Sequence, residues 1–184
     1  MEHQNRKTHQ MPKMQTHYRL QSQRPQTQMI RDFLEKLLYF VRWDQGQYRS
    51  YRRKYHVHPQ FRFNGPRIAF YGEGRIILGE GSYIGNDSYI EAFKGFSVRI
   101  GKFCRVASHV KIYTMGYDAD LRVGKNGNVT IGDHCWIGAN VFINPDVCIG
   151  DHSVIGANSV VTHDVPSYCV VAGCPARFIK QVNR

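Results

Sequence analysis

The stretch "VTIGDHCWIGANVFINPDVCIGDHSVIGANSVVT", residues 129–162, repeats one pattern every six positions. In each repeat an aliphatic residue is followed by a small one, as in Ile131-Gly132 and Ile137-Gly138. A period of six matches neither the 3.6-residue turn of a helix nor the simple alternation of a strand. It fits a coil with three flat sides, each side being a short strand and a turn. The stretch therefore predicts an all-β solenoid of 18-residue coils.

The same period runs from about residue 68 towards the end of the chain. Every third repeat is predicted to stack, because stacking buries each coil against the next and stabilises a solenoid. The rhythm stops over residues 113–128 and then resumes in register, so we predict a loop insertion there. The three predicted columns of inward aliphatic residues are Leu78, Ile100, Ile131 and Ile149; Ile84, Val106, Ile137 and Ile155; and Ile90, Ile112, Ile143 and Val161.

The net charge of +11 is concentrated before the repeat. Residues 1–62 hold 13 Lys and Arg against 4 acidic residues, whereas residues 63–184 hold 12 against 10. Residues 1–26 are basic and Gln-rich with almost no large aliphatics, which predicts a disordered tail. Residues 63–184 are predicted to form the solenoid domain.

Residues 27–62 are predicted to form an amphipathic helix over 27–43 and then a basic-aromatic linker. The apolar positions fall on one helical face. Two interpretations of this segment remain open. It packs on its own body or a neighbouring subunit, or it makes peripheral contact with an anionic membrane. The predicted apolar face is formed by Ile30, Phe33, Leu34, Leu37, Leu38 and Val41.

Several other classes of protein are excluded by the sequence. No motif of a nucleic-acid-binding domain accompanies the basic charge, so we expect no nucleic-acid partner. No run of about 18 apolar residues is present, so no membrane-spanning helix is expected. The five cysteines lack metal-ligand spacing, which indicates reduced thiols, a cytoplasmic location and no metal.

Two motifs within residues 129–180, "D-x-x-W-I-G" and "A-G-x-P-A-R-x-I", resemble those of the hexapeptide-repeat acyltransferases, in particular the sugar O-acetyltransferase branch. That branch includes maltose, galactoside and capsular or O-antigen acetyltransferases. The resemblance covers roughly residues 68–182 and implies a left-handed parallel β-helix, a homotrimer, and acetyl-CoA bound between subunits. It implies acetyl transfer to a hydroxyl of a saccharide acceptor in surface-polysaccharide biosynthesis. An amino-sugar nucleotide N-acetyltransferase and a catalytically silent scaffold are the alternatives.

The resemblance also assigns residues to the acetyl-CoA groove. Trp136 would form a wall at the acetyl and acceptor end. The small residues Gly138, Ala139 and Ala157 would let the backbone approach the pantetheine arm. The family usually has Lys where this chain has His163. The remaining groove residues would be Thr162 and His163, followed by Arg177 and Lys180, which would face the nucleotide phosphates.

The base expected from the resemblance is absent. Acetyl transfer to a hydroxyl needs a group that accepts the hydroxyl proton, and histidine suits this role near neutral pH. In the family this His follows the third side of a coil, at the position occupied here by Tyr117, which precedes Asp118. A tyrosine with a pKa near 10 is less than about 1% ionised at neutral pH.

Three interpretations of this substitution stay open. In the first, His109 reaches the site and is oriented by Asp118 or by a neighbouring subunit's carboxylate. In the second, Tyr117 binds the acceptor while His134 accepts the proton. In the third, the protein binds acetyl-CoA or a sugar without turnover. His134 and His152 are 18 residues apart and are predicted to stack at one corner.

Overall fold

The computed structural model describes residues 26–118 and 122–182. For Gln26, residues 36–47 and Asp118 it describes the backbone alone. The predicted disordered tail therefore lies outside the described residues, apart from Gln26. The chain divides into two units, residues 1–40 and 41–184.

In the described part of the chain, helix α1 runs from Gln26 to Lys54. In the first unit, the described side chains of the predicted apolar face, Ile30, Phe33 and Leu34, are exposed. The helix continues beyond residue 43, through most of the segment that the sequence predicts to be a linker. No helix among the described residues is long and apolar enough to cross a membrane.

The second unit is built from three sheets, which form the three sides of each coil and are parallel except for the last strand of the chain. Sheet A contains β1 (His56–Val57), β4 (Arg75–Leu78), β7 (Ser97–Ile100), β12 (Val129–Ile131) and β15 (Val147–Ile149). Sheet B contains β2 (Arg62–Asn64), β5 (Tyr83–Gly85), β8 (Arg105–Val106), β13 (Trp136–Ile137), β16 (Val154–Ile155), β18 (Cys169–Gly173) and β19 (Ala176–Gln181). Sheet C contains β3 (Ala69–Tyr71), β6 (Tyr89–Glu91), β9 (Lys111–Tyr113), β14 (Phe142–Ile143) and β17 (Val160–Val161).

The chain passes from sheet A to B to C and back to A, and its coils form a left-handed parallel β-helix. The predicted columns are confirmed. In sheet A the register pairs Leu78 with Ile100, Ile100 with Ile131, and Ile131 with Ile149. The other two columns pair in the same way in sheets B and C. All twelve residues are at most 1% exposed, so they form the core.

The glycine after the inward aliphatic in sheet A is required by the neighbouring coil. Gly79 donates a backbone hydrogen bond to Ile100 O at 2.8 Å. A Cβ atom built on Gly79 would lie 2.3 Å from Gly101 O, closer than real Cβ contacts. The adjacent backbones of stacked coils therefore leave no room for a side chain at this position.

The corners between sheets place non-glycine residues in the left-handed backbone region. At the corner between sheets A and B these residues include His134 (φ 56°) and His152 (φ 59°). At the corner between sheets B and C they include His109 (φ 62°) and Asn140 (φ 57°). Asn, Asp and His occur in this region more often than most residues, so the corner conformation itself favours these types.

The predicted insertion is a β-hairpin at the corner between sheets C and A. Its strands, β10 (Met115–Asp118) and β11 (Val123–Asn126), pair antiparallel. Gly127 N donates to Thr114 O at 3.0 Å and closes the base of the hairpin. The coil register is unchanged across it, which agrees with the resumption of the repeat after residue 128.

The last turns of α1 cover the first coil of the solenoid. Tyr48 is 1% exposed, stacks on Phe63 with ring centroids 4.3 Å apart, and donates a hydrogen bond from its hydroxyl to Gly65 O at 2.7 Å. Tyr51 stacks on Phe70 at 4.7 Å. The helix thus shields the aromatic end of the core. The ladders begin at His56, upstream of the predicted boundary at residue 63.

Replacing Gly79 by Ala is expected to lower the free energy of unfolding by about 1–3 kcal/mol, because the new Cβ atom collides with the backbone of the next coil. Denaturant unfolding followed by circular dichroism measures this change. The matched control is Gly124→Ala in the hairpin, where a Cβ atom would meet nothing within 4 Å. A Gly79→Ala variant as stable as the control would contradict the explanation.

Candidate functional site

One row of side chains runs along the outer face of sheet B. It lies one residue before the inward aliphatics, and the strand register joins its members in sequence. Arg62 pairs with Tyr83, Tyr83 with Arg105, Arg105 with Trp136, and Trp136 with Val154. Because neighbouring strands lie about 4.8 Å apart, these side chains follow one another at that spacing. We call Arg62, Tyr83, Arg105, Trp136 and Val154 the sheet B row.

A stack of rings lies at the corner between sheets A and B. Phe103 stacks on His134, His134 on His152, and His152 on Tyr168, with centroid distances of 5.1, 4.8 and 4.7 Å. The two imidazoles are 5° from parallel, which confirms the predicted stack of His134 and His152. We call these four residues the A–B column.

An open groove of about 720 Å³ lies between the sheet B row and the A–B column. Trp136 is 57% exposed on its floor, as predicted for a residue preceding an inward Ile. The groove therefore combines a large exposed indole, a guanidinium and two imidazoles. Its lining residues are Phe103, Arg105, His134, Cys135, Trp136, His152, Val154, Tyr168 and Val182.

His109 lies at a different corner, between sheets B and C, and its nearest carboxylate is that of Asp87. Its Nε2 is 4.0 Å from Asp87 Oδ2, too far for a hydrogen bond. The Arg67 guanidinium donates two hydrogen bonds to the same carboxylate, one of them from Nη2 at 2.8 Å. These hydrogen bonds, chiefly from Arg67 and also from Asn86, lower the pKa of Asp87 below its usual value.

Tyr117 projects from the hairpin at the corner between sheets C and A and is 67% exposed. Sheet C lies between that corner and His109. The structure therefore does not bring His109 and Tyr117 together within one chain. Asp118, the predicted carboxylate partner, pairs through its backbone with Val123, and its side chain lies outside the described atoms.

The residues assigned to the acetyl-CoA groove do not all line the same cavity. Thr162, His163 and Arg177 line a second cavity of about 250 Å³, whereas Trp136 lies in the first groove. The hydroxyl of Thr162 is 2.8 Å from His163 Nδ1. Lys180 is exposed on β19.

Coil packing accounts for one of the small residues in this assignment. A Cβ atom on Gly138 would lie 2.6 Å from Ala157 N, so the stack itself requires glycine there. Ala139 and Ala157 are exposed at the corner between sheets B and C. Among the described residues, no group of three or more His, Cys, Asp or Glu side chains is arranged to hold a metal ion.

Sequence reasoning missed Arg105, Phe103 and Tyr168 as groove residues. The signal was present in the columns: Val106 and Ile137 stack, so the residues one position earlier, Arg105 and Trp136, must also be neighbours. The hairpin obscured this relation, because it places the two residues 31 positions apart instead of 18.

Comparison with known proteins places the fold in a family. Residues 128–163 match the family model described as bacterial transferase hexapeptide (six repeats). The chain is 39% identical over 114 residues to galactoside O-acetyltransferase of Escherichia coli (strain K12), covering 57% of this chain and 56% of that protein. It is 32% identical over 133 residues to the putative lipopolysaccharide biosynthesis O-acetyl transferase WbbJ of the same organism, covering 65% and 67%.

A solved structure agrees with these similarities. The hexapeptide-repeat acetyltransferase VCA0836 of Vibrio cholerae O1 biovar eltor, crystallised with acetyl coenzyme A, superposes with a TM-score of 0.60 at 26% identity. The alignment covers 79% of this chain and 84% of that one. The chain thus belongs to the hexapeptide-repeat transferase family. It spans somewhat more than half the length of galactoside O-acetyltransferase.

Proposed function

We propose that this protein is an acyltransferase that moves an acetyl group from acetyl-CoA to a hydroxyl of a saccharide, in surface-polysaccharide biosynthesis. The observation that carries the proposal is the similarity along the solenoid to a galactoside O-acetyltransferase and to an acetyltransferase crystallised with acetyl coenzyme A. The groove beside Trp136 adds chemical support. It offers an apolar ring and two imidazoles in one open site.

For acetyl-CoA, the proposal uses residues from both cavities. Trp136 contacts the acetyl end, and Gly138, Ala139 and Ala157 allow the pantetheine arm to approach the backbone. Thr162 and His163 continue this path. Arg177 and Lys180 are exposed cations that suit the nucleotide phosphates, since charge-assisted hydrogen bonds to phosphate are strong. Because these residues belong to successive coils, the proposed cofactor path runs along the solenoid axis.

The chemistry requires a proton acceptor at the attacking hydroxyl. The hydroxyl oxygen bonds to the acetyl carbonyl carbon, the carbon–sulfur bond breaks, and the proton passes through the base to the CoA thiolate. Backbone N–H groups stabilise the oxyanion that forms on the carbonyl. His134 is our proposed base, because it lines the same groove as Trp136, whereas His109 lies at another corner.

Tyr117 is proposed to bind the acceptor through its exposed hydroxyl, with Asp118 beside it on the hairpin. Because the hairpin stands at the corner between sheets C and A, it would reach the groove beside Trp136 of a neighbouring copy, not that of its own chain. The second candidate function is binding of acetyl-CoA or a sugar without turnover. The observation that favours it is the tyrosine at the position where the resembling enzymes keep their base.

Thiol release from acetyl-CoA with a panel of saccharides tests the activity. The wild type is expected to release CoA with at least one acceptor. His134→Ala is expected to lower kcat by about 100-fold or more, the usual contribution of a positioned base. Tyr117→Phe is expected to raise KM more than it lowers kcat. His109→Ala serves as the matched control and is expected to keep wild-type kcat.

Other outcomes would contradict parts of this assignment. Binding of acetyl-CoA without release for any acceptor would favour the silent binding protein. Loss of kcat in His109→Ala with an active His134→Ala would move the base to the other corner. Release with amino sugars alone would replace O-acetylation by N-acetylation.

We also propose that the protein is a homotrimer, the assembly that the family resemblance implies. The separation of Trp136 from Thr162 and Arg177 within one chain supports this assembly, since a groove between copies can use both sets. Sedimentation equilibrium is expected to give three times the chain mass of 21.3 kDa. A mass of one or two chains would contradict the trimer.

Peripheral contact with an anionic membrane is proposed for the exposed apolar face of α1, together with a cytoplasmic location. Met29, Ile30 and Phe33 are all more than half exposed, and the basic Arg31 is exposed among them. An apolar face combined with basic charge favours such surfaces. Co-sedimentation with phosphatidylserine vesicles is expected for the wild type and reduced by Ile30→Gln with Phe33→Gln. Equal sedimentation of both proteins would remove the proposal.

A further inference from the structure

The sheet B row carries positive charge without an acidic counterpart. Arg62 and Arg105 are both exposed, and none of the described carboxylates forms an ion pair with either of them. The guanidinium of Arg62 instead lies over the ring of Tyr83, 5.8 Å from its centroid. At the far end of the sheet, Val170 pairs with Lys180. The row therefore has no negative charge of its own.

Aromatic residues separate the two arginines along the same row. The order Arg62, Tyr83, Arg105, Trp136 places cations and rings on successive strands. With strands about 4.8 Å apart, one cation–ring pair occupies about 10 Å. A ligand that contacts both the arginines and the rings of the row must present negative groups and apolar surfaces alternately along its length.

The walls beside the row suit an elongated ligand. On one side, residues after the inward aliphatics are small, including Gly85, Ala107 and Gly138, because the coils are tightly stacked. On the other side stands the A–B column, whose rings contact one another face to face. Around Arg105 and Trp136, the row thus lies between a low edge of small residues and a high edge of stacked aromatic and imidazole rings.

We propose that the sheet B row binds an acidic saccharide, so that the acceptor carries carboxylates or other anionic groups. Arg105 binds the anionic group, and Trp136 contacts the apolar face of the adjoining sugar ring. Arginine suits this role because its planar guanidinium donates two parallel hydrogen bonds to a carboxylate. This inference rests on the proposed function and narrows its substrate class.

The nucleotide of acetyl-CoA offers the same chemistry, an anionic group beside a flat apolar ring. The two sources differ in length and in the residues they require. The nucleotide is assigned above to Arg177 and Lys180, outside the row, whereas an acidic oligosaccharide extends over Arg62 and Arg105 together. Competition between the two ligands separates these sources.

Binding is measured by fluorescence of Trp136 in a Trp43→Phe background, since the chain has two tryptophans. The probes are oligogalacturonide and oligomers of N-acetylneuraminic acid, each compared with its neutral methyl ester. The charged form of at least one pair is expected to bind about 10-fold more tightly than its ester, the effect of one charge-assisted hydrogen bond. Added salt is expected to reduce this preference.

Arg105→Gln is expected to remove most of the preference, and Arg105→Lys to retain part of it. The matched control is Arg99→Gln, which removes the same charge from an exposed position on sheet A. It is expected to leave the preference unchanged. A preference that survives Arg105→Gln, or that falls equally in Arg99→Gln, would overturn the assignment of Arg105.

Two further outcomes would contradict the proposal that the acceptor is acidic, while leaving the transferase proposal unaffected. One is equal affinity for acid and ester in both pairs. The other is complete competitive displacement of the acidic oligosaccharide by adenosine 3′,5′-bisphosphate, which would assign the row to the cofactor. Thiol release with a neutral acceptor would then still support acetyl transfer. Failure of the transferase proposal appears instead as acidic-saccharide binding without release.

Discussion

The structure depends on the close contact between the backbones of successive coils. Gly132 N donates to Ile149 O and Gly138 N donates to Ile155 O, each at 2.8 Å. This ladder holds the coils about 4.8 Å apart, so a side chain at Gly132 or Gly138 has no space. The aliphatic residue before each of them points inward to bury its surface. The pairs of an aliphatic and a small residue in sheets A and B follow from these two requirements.

The same spacing arranges the side chains outside the core. A ring that recurs at equivalent positions lies about 5 Å from the next, close enough to stack. This produces the A–B column. On the outer face of sheet C a second stack forms diagonally, because its rings alternate between the position after the inward residue and the position before it. Its members are Tyr71, Tyr89, Tyr113 and Phe142, with centroids 4.9 to 5.3 Å apart. Burial and the neighbouring Glu91 carboxylate raise the pKa of Tyr89 to about 12, which keeps its phenol neutral within this stack. A solenoid therefore turns a short sequence motif into a long surface of uniform chemistry.

The sequence predicted the three core columns correctly because the inward aliphatic residues recur at the six-residue spacing, interrupted only by the four-residue slip and the hairpin. The first coil was harder to detect, since Phe61, Phe63 and Phe70 take the core positions and hide the aliphatic period. The helix beyond residue 43 was missed because the residues that pack on the core, Tyr48 and Tyr51, lie within a basic stretch. In the candidate site, the stack of His134 and His152 was predictable from their 18-residue spacing. The contact of Arg105 with Trp136 was hidden by the hairpin, and that of His109 with Asp87 by the four-residue slip in the repeat.

The candidate site residues differ in whether the fold itself explains their residue type. His109, His134 and His152 occupy corner positions whose left-handed backbone already favours histidine, so their residue type alone says little about chemistry. Gly138 is explained by coil packing. Arg105 and Trp136 are different, because they stand on extended strands, are exposed on the outer face, and do not occupy the left-handed corner positions. An exposed indole beside a guanidinium that forms no ion pair with the described carboxylates stabilises the solenoid little and suits recognition of a ligand. Ligand recognition is therefore assigned first to Arg105 and Trp136 of the sheet B row, and His134 gains its role from lying in the groove beside them.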